Sequence, residues 1–167
     1  MMMKKITTPI LIMAILAMGF SPASAQKANK KDEQFKEMVS LMEGGSYVFS
    51  VQSVQPTGAR TIHTTSDYSL EAKDGIFKAY LPYFGRAYQA SYGGNGGIEF
   101  EAQADQLEMS LNEKKRMIKI EFEVRTSEEK YVIFLSVGSS GFGTLSINSN
   151  NRQPISYSGI VGPLEGE

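Results

Sequence analysis

The chain has 167 residues, a formal net charge of −1 and no cysteine. Without cysteine the protein can form neither disulfides nor zinc sites built on thiolates, and it cannot be a lipidated bacterial lipoprotein. The balanced charge offers no basic excess for binding nucleic acid or an anionic membrane surface.

Residues 1–25 are predicted to form a cleavable secretory signal peptide. Two lysines precede an apolar run over residues 9–20, which is too short to span a bilayer. Ala23 and Ala25 supply the small side chains that a signal peptidase requires, so we expect cleavage before Gln26. The exported chain then has no transmembrane anchor and a net charge of −3, because fifteen basic residues remain against eighteen acidic ones.

A polar leader and one amphipathic helix are predicted to follow. Residues 26–31 are rich in lysine and are expected to be a flexible leader. Apolar residues then recur at the spacing of one helix face, namely Phe35, Val39 and Met42. Gly44 follows them, and glycine commonly stands just beyond a helix end. We therefore predict a helix from Asp32 to Glu43, at the start of a single domain over residues 32–167.

The rest of the chain is predicted to form short antiparallel strands. Apolar runs, most of them with period-two alternation, lie at residues 47–52, 68–73, 76–81, 98–104, 107–111, 118–124, 131–137, 145–147 and 155–161. The dipeptide Asp74-Gly75 between two of these runs predicts a two-residue hairpin. The parity of the apolar positions flips near Asp105, which predicts a tight turn or a bulge there.

Eight or nine such strands, joined mostly by hairpins, predict a mainly β fold. A meander of this kind exposes two sheet edges to other chains unless it closes into a barrel. We therefore predict a small antiparallel up-and-down β-barrel, lipocalin-like in form, with one short N-terminal helix. A two-sheet β-sandwich is the alternative.

The sequence contains no recognisable catalytic constellation or metal site. His63 is the only histidine, so it has neither a second imidazole for a metal site nor a thiol to activate. The pairs Glu99 with Glu101 and Glu121 with Glu123 alternate with apolar residues. They are expected to face solvent rather than each other across a cleft. We expect a protein that is not an enzyme and that uses no cofactor and no metal.

The most distinctive segment runs from Tyr80 to Tyr92 and holds five aromatic residues and one arginine. Aromatic rings beside an arginine suit flat ligands, sugars or a protein partner, although the same rings also gain free energy by packing onto the core. The glycine-rich residues 93–97 that follow lack the lysine and the helix of a phosphate-binding loop.

Three stretches resemble the pattern of a known family. They are residues 79–88 (Ala-Tyr-Leu-Pro-Tyr-Phe-Gly-Arg-Ala-Tyr), 97–100 (Gly-Ile-Glu-Phe) and 151–159 (Asn-Arg-Gln-Pro-Ile-Ser-Tyr-Ser-Gly). From about Phe35 to Val161 the chain is similar to the domain of unknown function 4251 (DUF4251), a family of exported Bacteroidetes proteins. The resemblance implies a small lipocalin-like barrel and a Gram-negative host, with the periplasm or the exterior as destination. It implies no activity and no catalytic residues.

These features favour a non-catalytic periplasmic module that binds a small ligand. Arg86 and Arg152 lie in the two least regular loops, and if these loops meet, their guanidinium groups and nearby rings surround the mouth of the barrel. Such a mouth suits a small apolar, aromatic or anionic ligand. The predicted ligand-binding residues are Tyr80, Tyr83, Phe84, Arg86, Tyr88, Tyr92 and Arg152. In one alternative, each arginine ties down its own loop through backbone carbonyls. In another, the aromatic segment is the surface of an envelope interaction protein that binds a protein or a glycan.

Overall fold

The computed structural model describes residues 23–86, 96–127 and 129–164, with side chains from residue 29 onward. Its elements are α1 (Ala23–Glu43), β1 (Ser46–Pro56), β2 (Ile62–His63), β3 (Ser69–Lys73), β4 (Ile76–Leu81), β5 (Ile98–Gln103), β6 (Asp105–Asn112), β7 (Met117–Arg125), β8 (Lys130–Gly138), β9 (Phe142–Ser149) and β10 (Ile155–Pro163). The predicted mainly β class is confirmed.

The strands form one antiparallel sheet that curls into a nearly closed barrel. Its order is β5-β4-β3-β1-β10-β9-β8-β7-β6, and the short β2 pairs onto β1. The first and last long strands are neighbours, since Tyr47 lies opposite Pro163 and Pro56 lies opposite Ile155. Asp74 and Gly75, with φ angles of 53° and 81°, make the predicted hairpin between β3 and β4. The barrel prediction is therefore confirmed.

The two ends of this sheet are consecutive in the chain. β5 ends at Gln103 and β6 begins at Asp105. The two strands run in the same direction, because every pairing around the sheet is antiparallel and eight pairings separate them. Together they form one bent strand that leaves β4 and joins β7. The bend lies at Gln106, where φ is 53° and the register against β7 slips, so the predicted irregularity near Asp105 is confirmed.

The core fills the inside of the barrel. Along β7, the buried side chains of Ile118, Ile120, Phe122 and Val124 alternate with more exposed ones, as the sequence predicts for a sheet with one wet face. The rings of Phe77 in β4 and Phe122 in β7 stack across the interior with their centroids 3.9 Å apart. The two walls of the barrel are thus in direct contact.

Helix α1 packs on the end of the barrel where β1 begins. Phe35 and Met42 are buried on its inner face, as their spacing predicts. The helix ends at Glu43 as predicted, but it begins at Ala23 rather than Asp32, and so includes residues 26–31, which the sequence assigned to a flexible leader. Those residues are mostly strong helix formers without apolar positions, so no hydrophobic stripe marked them.

One ion pair links the helix to the sheet. The guanidinium Nε of Arg116, in the turn between β6 and β7, lies 2.6 Å from a carboxylate oxygen of Asp32. This hydrogen bond holds the pKa of Asp32 below its ordinary value. Within the described residues, no helix is both long enough and apolar enough to cross a membrane.

Candidate functional site

The loops that carry Arg86 and Arg152 do meet at one end of the barrel. The backbone N–H of Gln153 donates to the carbonyl oxygen of Arg86 at 3.1 Å. The hydroxyl group of Tyr83 lies 2.8 Å from the same carbonyl oxygen and 3.1 Å from that of Gln153. This end, which we call the arginine end, is therefore closed by contacts between its own loops.

The side chain of Arg152 turns inward at the arginine end and is only 8% exposed. Its Nε lies 3.0 Å from the buried carboxylate of Glu129, and its Nη1 donates to the carbonyl oxygen of Gly97 at 2.8 Å. Tyr131 and Ser149 both donate hydroxyl hydrogen bonds to Glu129. The network ties together three segments far apart in sequence. It differs from the alternative in which each arginine ties down its own loop, because the carbonyl group that Arg152 binds belongs to the loop before β5.

The other predicted residues lie mainly on the outside of the barrel. Tyr80 is half-exposed, because Phe77, Ala79 and Leu81 take the inward positions of β4. Phe84 is half-exposed and the side chain of Arg86 is exposed. Tyr88 and Tyr92 lie outside the described residues. The described residues of the predicted set are thus divided between the outer surface and a buried network, and do not surround one opening.

A hollow of about 330 Å³ lies on that outer surface. It is lined by Tyr68, Tyr80, Tyr83, Phe84 and Glu99 and by Gly96 and Gly97. The rings of Tyr68 and Tyr80 lie 5.4 Å apart, centroid to centroid, and are tilted by 33°. We call this surface the aromatic hollow.

A second hollow opens at the opposite end of the barrel, where the sequence predicted no site. It has a volume of about 430 Å³ and lies between the end of α1, the β3–β4 hairpin and β6. Its principal side chains are Met42, Tyr47, Phe77, Leu107, Met109 and Leu111. We call it the β6 crevice.

The β6 crevice exists because, within the described residues, β6 pairs on one side only, with β7, and the sheet is open on its other side. Met109 and Leu111 lie opposite Ile120 and Ile118, which are buried, so these β6 side chains face the interior. Even so, Leu111 is 46% exposed and Leu107 is 49% exposed. Interior-facing apolar residues of an edge strand therefore form one wall of an open, largely apolar cavity.

Tyr47 lies at the base of this crevice and is only 2% exposed. Among the described residues, its hydroxyl group has no hydrogen-bond partner. The hydroxyl group of Tyr157, which is also a fully buried residue, donates to the carbonyl oxygen of Pro82 at 2.8 Å. Burial raises the pKa of Tyr47 far above its ordinary value, so its hydroxyl group stays neutral and can donate.

Comparison with known proteins identifies the family. The sequence matches the family model described as "Domain of unknown function (DUF4251)" over residues 29–161. The chain belongs to the DUF4251 family. The fold of a DUF4251 family protein from Bacteroides eggerthii DSM 20697, known from its crystal structure, is similar to it with a TM-score of 0.61. The two are 18% identical, and the match covers 81% of this chain and 91% of that one, so the likeness shows the fold. No protein of curated function matches the sequence.

Sequence reasoning missed the β6 crevice of this DUF4251 protein. Leu107, Met109 and Leu111 alternate with polar residues just as a covered core strand does. The parity flip near Asp105 was the one available signal, because a bend at that point can carry the chain away from its neighbour. Nothing in the sequence marks Tyr47 as a buried tyrosine whose hydroxyl group forms no hydrogen bond within the described residues.

Proposed function

We propose that this DUF4251 protein is a non-catalytic module that binds a small, largely apolar ligand in the β6 crevice. The observation that carries the proposal is the open, interior-facing apolar wall formed by Leu107, Met109 and Leu111. A volume of about 430 Å³ lies within the range of about 300–1,000 Å³ that is common for small-molecule pockets. The signal-peptide pattern of residues 1–25 and the Bacteroides relative favour the periplasm of a Gram-negative bacterium as the location.

The free energy of binding would come mainly from apolar surface. Leu107 and Leu111 expose nearly half of their surface to water, and a ligand between them and Phe77 would remove that surface from water. Such burial contributes roughly 25 cal/mol for each Å². The opposite walls of the crevice are set by Tyr47 and Met42, both buried, so little side-chain ordering is needed before the ligand binds.

We expect the neutral apolar dye N-phenyl-1-naphthylamine to bind in the crevice with a rise in fluorescence. Leu107→Asp should weaken this binding at least about ten-fold, because the ligand would have to cover an unpaired carboxylate. Phe142→Asp is the matched control, since Phe142 is 51% exposed, lies on the outer face of β9 and does not line the crevice. Equal loss in the two variants, or no binding by the wild-type protein, would refute the proposed site.

A second candidate function is glycan binding at the aromatic hollow. The half-exposed rings of Tyr80 and Phe84, with the exposed carboxyl group of Glu99 beside them, combine an apolar platform with a hydrogen-bond acceptor. Electrophoresis through gels that contain neutral polysaccharides tests it. We expect Tyr80→Ala to abolish the retardation of the protein, and Ile76→Ala, also at an exposed position of β4, to preserve it. If the polysaccharide did not retard the wild-type protein, glycan binding at the aromatic hollow would be rejected.

A further inference from the structure

We propose that the ligand of the β6 crevice is an uncharged apolar molecule with one oxygen atom that accepts a hydrogen bond from the hydroxyl group of Tyr47. The inference rests on the proposed function of the crevice and extends it to the chemical class of the ligand. A medium-chain ketone, ester or alcohol has the required chemistry.

The side chain of Tyr47 is buried, but its hydroxyl group forms no hydrogen bond within the described part of the chain. In that part no side-chain nitrogen or oxygen atom is both sealed from solvent and unpaired, so the hydroxyl group of Tyr47 reaches the open space of the crevice that it lines. Water can satisfy this donor in the free protein, and an apolar ligand that displaced the water without offering an acceptor would lose that hydrogen bond. Met42, Phe77 and Met109, which line the crevice together with Tyr47, have no oxygen acceptor in their side chains. The acceptor is therefore expected to be part of whatever fills that space.

The charges around the crevice favour a neutral ligand. Among the described residues that line it, Glu43 is the only ionisable one besides Tyr47, and no lysine or arginine is present to pair with an anion. A ligand carboxylate would thus lose its hydration and meet an acidic side chain. The single donor of Tyr47 can satisfy a carbonyl or hydroxyl oxygen, while the remaining apolar walls cover hydrocarbon.

The size of the crevice limits the length of the ligand. Its volume of about 430 Å³ corresponds to roughly fourteen water molecules at about 30 Å³ each. A ligand of about ten heavy atoms therefore fits inside, and a larger one would extend into solvent past the exposed side chain of Leu107. Nonane, 2-nonanone and nonanoate form a matched series of this size with no oxygen, a neutral acceptor and an anionic acceptor.

The test is titration of the protein, labelled with ¹³C at its methionine methyl groups, with each of the three compounds. Met42 and Met109 line the crevice and report binding there, whereas Met117 lies outside it and serves as an internal reference. Tyr47→Phe should weaken 2-nonanone about five-fold, as expected for the loss of one neutral hydrogen bond, and change the affinity for nonane by less than two-fold. Nonanoate should bind the wild-type protein at least ten-fold more weakly than 2-nonanone.

Tyr157→Phe is the matched control variant, because it also removes the hydroxyl group of a buried tyrosine, but one that donates to the carbonyl oxygen of Pro82. It should leave both affinities unchanged, and an unaltered Met117 resonance would show that each variant is folded. If Tyr47→Phe changed the affinities for nonane and 2-nonanone equally, or if nonanoate bound more tightly than 2-nonanone, the proposed ligand class would be wrong. The proposed function of the crevice would then still stand. Binding of none of the three compounds would overturn both.

Discussion

The guanidinium group of Arg152 is buried between the carboxylate of Glu129 and the backbone carbonyl of Gly97. Two charges removed from water are tolerated only when they are paired and their remaining hydrogen bonds are satisfied. Tyr131 and Ser149 complete the bonding of Glu129, and the ring of Tyr83 lies beneath the guanidinium at 5.2 Å. The network therefore stabilises the arginine end only as a complete set.

Arg152→Ala should lower the free energy of unfolding by about 3–5 kcal/mol, because it leaves the carboxylate of Glu129 buried without its counter-charge. Removing both charges with Arg152→Met and Glu129→Gln should cost less than the single change. Urea denaturation followed by circular dichroism measures these differences. Arg86→Ala is the control from the same end of the barrel and should stay within about 0.5 kcal/mol of wild type, since its side chain is exposed. If Arg152→Ala were equally harmless, the structural role of Arg152 would be wrong.

The position of the Arg152 loop was predictable from the sequence, but the direction of its side chain was not. Irregular composition marked the loops of Arg86 and Arg152, and their meeting at one end follows from strand alternation in a barrel. The acidic partner of Arg152 is Glu129, which lies in a turn whose sequence indicated only a polar connection between strands. Which turn lies beneath which loop depends on the register of β8, β9 and β10, and a single sequence does not reveal it.

At the scale of the elements, period-two alternation predicted the strands and which of their side chains face inward. β7 shows why this worked: its inward positions are all apolar and its outward positions are mainly charged, so a one-residue slip would bury charge. β6 shows the limit of the same reasoning. Its apolar positions also face inward, but no second strand among the described residues pairs with β6. Alternation shows which side chains of a strand face inward, but it does not show which strands lie beside it.

The bent strand formed by β5 and β6 links the fold to the proposed site. Gln106 adopts a left-handed backbone conformation that few residues other than glycine favour, and beyond it the chain pairs with β7 instead of β4. The same bend that nearly closes the barrel therefore also separates β6 from the β3–β4 hairpin. The β6 crevice is a consequence of how this barrel closes, so it belongs to the architecture rather than to one loop.

Closure of the whole barrel depends on the pairing of β1 with β10, which joins the two ends of the domain. Gly159 of β10 lies opposite Val51, next to the point where the register of β1 slips. A methyl group at Gly159 would collide with the carbonyl oxygen of Ser50 and would lie 3.0 Å from the ring of Phe49. The backbone cannot move there without opening the seam between β1 and β10, so only glycine permits this close approach of the two strands.

Gly159→Ala should therefore lower the free energy of unfolding by about 3 kcal/mol, at the upper end of the usual cost of overpacking, because the clash is with backbone. Gly162→Ala is the control in the same strand and should be nearly neutral, since a methyl group there would lie more than 4 Å from every atom of the described residues other than its two chain neighbours. Thermal and urea unfolding measure both variants, and amide hydrogen exchange locates the effect. We expect faster exchange in β1 and β10 of Gly159→Ala than in β7 and β8, because the seam opens first. Equal stability of the two variants would mean that the β1–β10 seam is looser than the structure indicates.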